Sequence, residues 1–129
     1  MVPDFKNLLV WQKAHSLALR VHAASRAIRG ADMSLRSQLI RAAMSIPANI
    51  VEGRSQDSER EFARFLKIAL NSATELEYHL LAARDIGSMR QSDFLALTSQ
   101  TIEIRKMLYG LLAKIRQGPP PDAPPNDEP

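Results

Sequence analysis

The 129-residue sequence contains no cysteine, which excludes a disulfide framework, a thiolate zinc site and a cysteine nucleophile. Glycine is limited to five residues and aromatic residues to 5% of the chain, a composition that favours helices over a β-sandwich or barrel. No apolar run approaches the roughly 20 residues of a membrane span, and "MVPDFKNLLVWQKAH" is too polar for a signal peptide. We therefore expect a cytoplasmic protein without membrane association.

Charge is unevenly distributed along the chain. The net charge is +3, but the final segment "GPPPDAPPNDEP" contains three acidic residues and no basic one, which leaves +6 on the rest. This Pro-rich segment has no apolar periodicity, so we expect a disordered or extended tail over 118–129. We expect residues 1–117 to form one domain, whose basic character is compatible with a polyanionic partner.

Four segments repeat apolar residues in steps of three and four, the spacing of a helix that buries one face. The series run from Val10 to Ile28, from Leu35 to Ile46, from Phe62 to Ala83 and from Phe94 to Ile115. Short connections between them make consecutive helices antiparallel. The sequence therefore predicts an all-α protein, an antiparallel up-down-up-down four-helix bundle.

Residues typical of helix ends lie between these series. Gly53 is expected to close the second helix in a left-handed conformation, and Gly87 to close the third. Ser58 and Glu61 have the spacing of a capping box that opens the third helix. Ser92 is expected to cap the fourth.

A proline interrupts the second helix within "SIPANIVEG". Pro47 has no N–H and its ring presses on the carbonyl group of Ala43, so we expect a kink there. The freed carbonyl group needs another donor. The Ser45 hydroxyl and the Asn49 amide are the candidates.

The polar residues after this proline admit two interpretations. Asn49 falls on the apolar seam, three residues after Ile46, where a buried amide would specify register. Glu52 would be costly to bury unless a base such as Arg41 paired with it. Either Pro47, Asn49, Glu52 and Gly53 form a structural motif whose polar groups satisfy one another, or the kink shapes an interface or a shallow site.

Three stretches, "NLLVWQKA", "QLIRAAMSIPANIVEG" and "EFARFLKIALNSATELEYHL", resemble the four-helix bundle family of the 23S rRNA intervening-sequence proteins. That family is related to the accessory variability proteins of diversity-generating retroelements. The resemblance extends over residues 5–116 in order and spacing. Two features depart from the pattern: Asn71 stands where glycine is more usual, and the acidic tail is additional.

The resemblance implies a bacterial, cytoplasmic bundle that assembles into a barrel-like homopentamer. It also implies association with nucleic acid, because relatives are encoded within rRNA insertions. The retroelement proteins bind reverse transcriptase and RNA, so a reverse transcriptase is a further expected partner.

Two rows of cationic residues are candidate phosphate contacts. The first basic row is Lys6, Lys13 and Arg20; the second basic row is Arg60, Arg64 and Lys67; Arg54 is a further candidate. Cations at helical spacing can neutralise successive phosphates of RNA or DNA and release counterions. The alternative is an ordinary solvated face, partly paired with Asp57, Glu61 or Glu103.

Other candidate sites are weaker. Trp11 suits a core or subunit interface better than base stacking. Glu75 and His79 share a helix face, but a di-iron bundle requires Glu-x-x-His motifs, and the sequence has none. We expect no metal, no cofactor and no enzymatic activity. The leading hypothesis is an oligomeric, nucleic-acid-associated accessory protein; the alternative is an oligomeric scaffold for a protein partner with no nucleic-acid role.

Overall fold

The structure is a computed structural model that describes residues 4–118; of the predicted tail, residues 119–129 lie outside the described residues. The helices are α1 (Leu9–Ser25), α2 (Met33–Arg54), α3 (Glu59–Ile86) and α4 (Gln91–Gln117), with short 3-10 helices at Phe5–Asn7 and Gly30–Asp32. Residues 4–118 contain no strand. The predicted all-α fold is confirmed.

The helices form a closed four-helix arrangement. Each helix packs on the next in sequence, and α4 returns to pack on α1. Lys13 near the start of α1 pairs with Glu103 in α4, whereas Arg20, later in α1, lies beside Asp93 near the start of α4. Rising numbers in α1 therefore meet falling numbers in α4, as an antiparallel bundle requires.

The predicted apolar seams form the core. Their side chains fill the space between the helices and are almost fully inaccessible to solvent. The seam residues exposed by 2% or less are Ala14, Leu17, Val21, Ile28, Leu39, Ala42, Ile46, Leu66, Ala69, Ala73, Leu76, Leu80, Ala83, Leu97, Thr101, Ile104 and Leu108. The one hydroxyl in this list is satisfied, because Thr101 donates to the carbonyl oxygen of Leu97 at 2.7 Å.

Two of the four predicted helix ends, at Ser58 and Gly87, are confirmed, and the two at Ser92 and Gly53 are wrong. Ser58 Oγ accepts a hydrogen bond from the Glu61 backbone N–H at 3.1 Å and so caps α3. Gly87 ends α3 with a φ of 88°, a left-handed conformation that glycine adopts without strain. Ser92 is not the cap of α4, because the helix begins at Gln91.

Gly53 has a different role from the one we expected. It lies inside α2, which continues to Arg54, and its φ is not positive. A Cβ atom at this position would lie 2.8 Å from Phe65 Cβ and 2.9 Å from Phe62 Cδ1. The missing side chain therefore allows α2 to approach the first turns of α3, a steric requirement that the left-handed-cap prediction overlooked.

The helix continues through Pro47, which is buried, and the kink at this residue stays a prediction. Asn49 Nδ2 donates to the carbonyl oxygen of Ser45 at 2.8 Å and to its hydroxyl at 3.0 Å. We had considered the carbonyl group of Ala43 as the acceptor for this amide. The Asn49 amide donates to Ser45 instead. The Ser45 and Ser72 hydroxyl oxygens lie 2.8 Å apart, so this polar chain links α2 to α3.

Glu52 is exposed and therefore needs no buried base as a partner. Arg41, the base we had considered for it, pairs instead with Glu75 across the α2–α3 interface. Because both of these side chains are substantially exposed to solvent, this pair contributes little to stability.

Candidate nucleic-acid interface

A groove lies between the first turns of α3 and the last turns of α4. It has a volume of about 1060 Å³ and we call it the α3–α4 groove. Its lining residues are Ser58, Glu59, Arg60, Glu61, Ala63, Arg64, Lys67, Ile68, Ile115 and Arg116. The whole second basic row is among them.

The groove follows from the helix directions. Arg60, Arg64 and Lys67 occupy positions i, i+4 and i+7, which place them on one side of α3. Because α4 runs antiparallel to α3, its last turn lies beside the first turns of α3, and Arg116 joins the row there. Ile68 and Ile115 contribute apolar surface between the cations. The groove therefore combines cationic and apolar side chains.

Carboxylates neutralise only part of this charge. Arg64 Nε lies 3.0 Å from Glu61 Oε2, and its guanidinium carbon lies 4.4 Å from the centroid of the Phe65 ring, which orients the side chain by a cation–π contact. Within residues 4–118 the other cations of the groove form no ion pair: Arg60, Lys67 and Arg116. The groove therefore has an excess of positive charge.

The first basic row lies on α1 and on the 3-10 helix before it, and its cations do not line one common groove. Lys13 Nζ lies 3.0 Å from Glu103 Oε1. Arg20 lines a small depression of about 260 Å³ that also contains Asp93, while Lys6 is exposed on the first 3-10 helix. Within residues 4–118 only Lys13 of this row forms an ion pair, since Asp93 pairs with Arg90 at 3.2 Å.

Arg20 of the first basic row does not share a site with the second basic row. Arg20 lies beside Asp93 and the second basic row beside Arg116, at opposite ends of α4. At about 1.5 Å per residue, those ends of the helix are roughly 35 Å apart. Sequence spacing alone could not reveal this separation.

Arg54 lies outside the groove lining. Its guanidinium carbon is 5.6 Å from the centroid of the Phe62 ring, and its Nε is buried without a hydrogen-bond partner in the described part of the chain. Arg116 is the cation that sequence reasoning missed. The sequence offered one signal for it. Arg116 lies in the last turn of the fourth helix, and an antiparallel bundle places that turn beside the first turns of the third helix.

Trp11 packs partly against the hydrophobic core. Its ring stacks on that of His15, with centroids 5.0 Å apart and planes inclined by 7°, and the edge of Phe5 meets it at 4.9 Å. Contact with the core agrees with the packing role that we preferred to base stacking.

Neither a metal cluster nor a spanning helix occurs in the described residues. Glu75 and His79 lie 3.3 Å apart and hydrogen-bond to each other, and residues 4–118 bring together no three His, Asp or Glu side chains that could hold a metal ion. None of the four helices combines the length and the apolar character needed to cross a membrane.

Comparisons with known proteins agree with the fold. A family model described as 23S rRNA-intervening sequence protein matches residues 6–110. The chain is also similar to a crystal structure of a protein with unknown function from the S23 ribosomal protein family from Bacteroides thetaiotaomicron, with a TM-score of 0.77 and 25% identity over 82% of this chain and 100% of that one. No curated protein matches. The second basic row lies within the matched residues, whereas Arg116 lies beyond them.

Proposed function

Because the chain belongs to the 23S rRNA-intervening sequence protein family, we propose that it is a non-enzymatic accessory protein that binds the RNA backbone through the α3–α4 groove. One observation carries this proposal: four cationic side chains line a single groove that contains only two carboxylates. The family name supports RNA as the polyanion. DNA offers the same phosphate chemistry and is the secondary ligand of this proposal.

Binding of this kind is expected to depend on phosphates more than on bases. Cations that contact phosphates displace counterions, so affinity falls steeply as salt concentration rises. Phosphate contacts position a protein on nucleic acid without reading its sequence. Lys13, Arg20 and Arg54 are secondary contacts in this proposal, since they lie outside the groove lining.

The test is a salt titration of binding to a structured RNA by the wild-type protein and by the R60E/R64E/K67E variant. The wild type should bind with micromolar or tighter affinity at low salt, and the variant should lose binding while its circular dichroism and thermal transition remain those of a folded bundle. The matched control is K6E/K13E/R20E, which changes charge equally on the first basic row. Equal affinity of the wild type and the groove variant would overturn the assignment.

Self-association is a second part of the proposal. We expect a homo-oligomer and, more specifically, a cytoplasmic homopentamer. We expect this assembly to assist a reverse transcriptase. Several large apolar side chains of the described helices are exposed by more than half and could pack between subunits: Leu9, Leu19, Tyr78, Ile86, Leu95 and Tyr109. Native mass spectrometry tests the assembly, and a monomer at micromolar concentration would contradict it. Co-purification with a reverse transcriptase tests that partner.

The second candidate function is a scaffold for a protein partner. The later part of α3 favours it, because Tyr78 and Leu81 are exposed by 64% and 39% on the same side of the helix. An apolar partner surface would bind there with little dependence on salt, unlike phosphate. Absence of RNA binding at low salt would favour this function over the first.

A further inference from the structure

We propose that the α3–α4 groove is also a docking site for an acidic extended peptide, and that its occupant is the chain's own segment 119–129. The docking is inferred from the groove and the tail sequence. Its consequence, competition with RNA, rests on the proposed function.

The first observation is the place where the described chain ends. Arg116 lines the groove and α4 ends at Gln117, one residue later. Gly118 follows with a φ of 70°, and its N–H donates to the carbonyl oxygen of Ile115 at 3.2 Å. A positive φ ends the helix and redirects the chain, which glycine permits without strain. The tail therefore leaves the bundle at the edge of the groove.

The second observation is complementary charge. Segment 119–129 contains Asp122, Asp127 and Glu128 and no basic residue. The groove contains three cations that form no ion pair within residues 4–118: Arg60, Lys67 and Arg116. A tethered anionic segment needs only a modest affinity to occupy such a site, because its effective concentration there is high.

The third observation is length and composition. A Pro-rich segment extends by about 3.1 Å per residue, so the four residues from Gly118 to Asp122 cover roughly 12 Å. The seven residues from Arg60 to Lys67 rise by about 10 Å along α3, so the acidic residues can reach this row. Six of the eleven residues in segment 119–129 are prolines, which lose little entropy when bound in an extended form. Ile68 and Ile115 in the groove lining offer them apolar contacts.

The docking can be measured without RNA. The chain has no cysteine, so N126C introduces a single thiol for a nitroxide label on the otherwise complete protein. We expect the label to broaden the amide resonances of residues 60–68 at low salt, and the same label on a D122N/D127N/E128Q background to leave them sharp. Unaffected resonances, or equal broadening in both proteins, would overturn the docking. Broadening only between differently labelled chains in a mixture would overturn this occupant and identify a second copy instead.

The competition is measured as RNA affinity. The D122N/D127N/E128Q protein should bind RNA about three- to tenfold more tightly than the wild type at low salt, a gain expected from releasing two or three solvent-exposed ion pairs. The matched control is E52Q/D57N/D85N, which removes three exposed carboxylates outside the groove lining and should change affinity less. An equal gain in both variants would contradict competition.

The two proposals fail separately. If the protein binds no RNA, the proposed function fails while the nitroxide experiment still decides the docking. If RNA binding depends on the second basic row but the label leaves residues 60–68 unaffected, only the docking fails.

Discussion

The two basic rows have similar helical spacing in the sequence but different surroundings in the bundle. Each row has one ion-paired cation within residues 4–118, Lys13 with Glu103 and Arg64 with Glu61, but the cations of the first row do not line one common groove. The second row faces the last turn of α4, which contributes another cation, Arg116. The neighbouring helix therefore determines whether a row of cations becomes part of a groove that a polyanion can occupy.

Surface cations that are paired with carboxylates differ from those that are unpaired in how well they can bind a polyanion. Exposed ion pairs contribute little to stability, but each paired cation has a carboxylate that competes with phosphate. A groove in which cations outnumber carboxylates concentrates positive potential and attracts polyanions. The difference between the rows can be tested by changing their cations, their partners and the packing beside the groove.

Replacing the second basic row should change RNA binding far more than replacing the first. For R60A/R64A/K67A we expect the slope of log K against log salt to become less steep by about 2 to 3, since each lost phosphate contact accounts for somewhat less than 1. For K6A/K13A/R20A we expect a change of less than about 1. Fluorescence anisotropy at several salt concentrations measures both. Equal changes would show that the surroundings of the rows do not matter.

Gly53→Ala should disturb the end of the bundle that carries the groove. The added Cβ would lie 2.8 Å from Phe65 Cβ, and we expect the free energy of unfolding to fall by about 1 to 3 kcal/mol from overpacking. Gly110 in α4 is the matched control, because an added Cβ there meets no atom within 4 Å. Gly110→Ala should stabilise the helix by about 0.5 to 1 kcal/mol. Urea unfolding measures both, and a stabilising Gly53→Ala would contradict the close approach.

Arg116→Gln tests the cation that only the folded chain adds to the second row. We expect the salt slope of RNA binding to become less steep by about 1 and affinity to fall uniformly across RNA sequences. Arg105→Gln is the control on the same helix, because Arg105 already pairs with Glu77 at 2.9 Å. If Arg116→Gln behaves like this control, Arg116 does not contribute to the groove's function.

Glu103→Gln should release the one ion-paired cation of the first row. Loss of the exposed Lys13–Glu103 pair should cost only a few tenths of a kcal/mol of stability. The released lysine should strengthen RNA binding by no more than about twofold. Parallel unfolding and binding measurements check this outcome, and a large gain would mean that the first row is itself a major phosphate contact.

Local sequence pattern was sufficient to predict the helices and the core. Steps of three and four between apolar residues identify the buried side of each helix, because helical geometry places those positions together. Ser58 and Gly87 marked the ends of α3 for equally local reasons, a side-chain cap and a left-handed residue. The prediction for Gly53 was wrong because a glycine near a helix end can have either of two roles. It can adopt a left-handed conformation that ends the helix, or it can leave room for a neighbouring helix.

The candidate site was only partly predictable. The second basic row was visible as a periodic pattern, whereas Arg116 lies about 50 residues away in sequence and joins it only when α4 packs on α3. The pairing of Lys13 with Glu103 and the contact between Ser45 and Ser72 are also non-local. The spacing of residues within one helix does not show how far its neighbour is shifted along the helix axis.

By itself, then, the sequence determined the class of fold, the buried side of each helix and the presence of two basic rows, because these depend on residues within a few turns of one another. Only the tertiary structure decided which row lines a groove, which cation completes that groove and why α2 needs a glycine at position 53. Those features depend on contacts between helices, and side-chain packing across the bundle sets them.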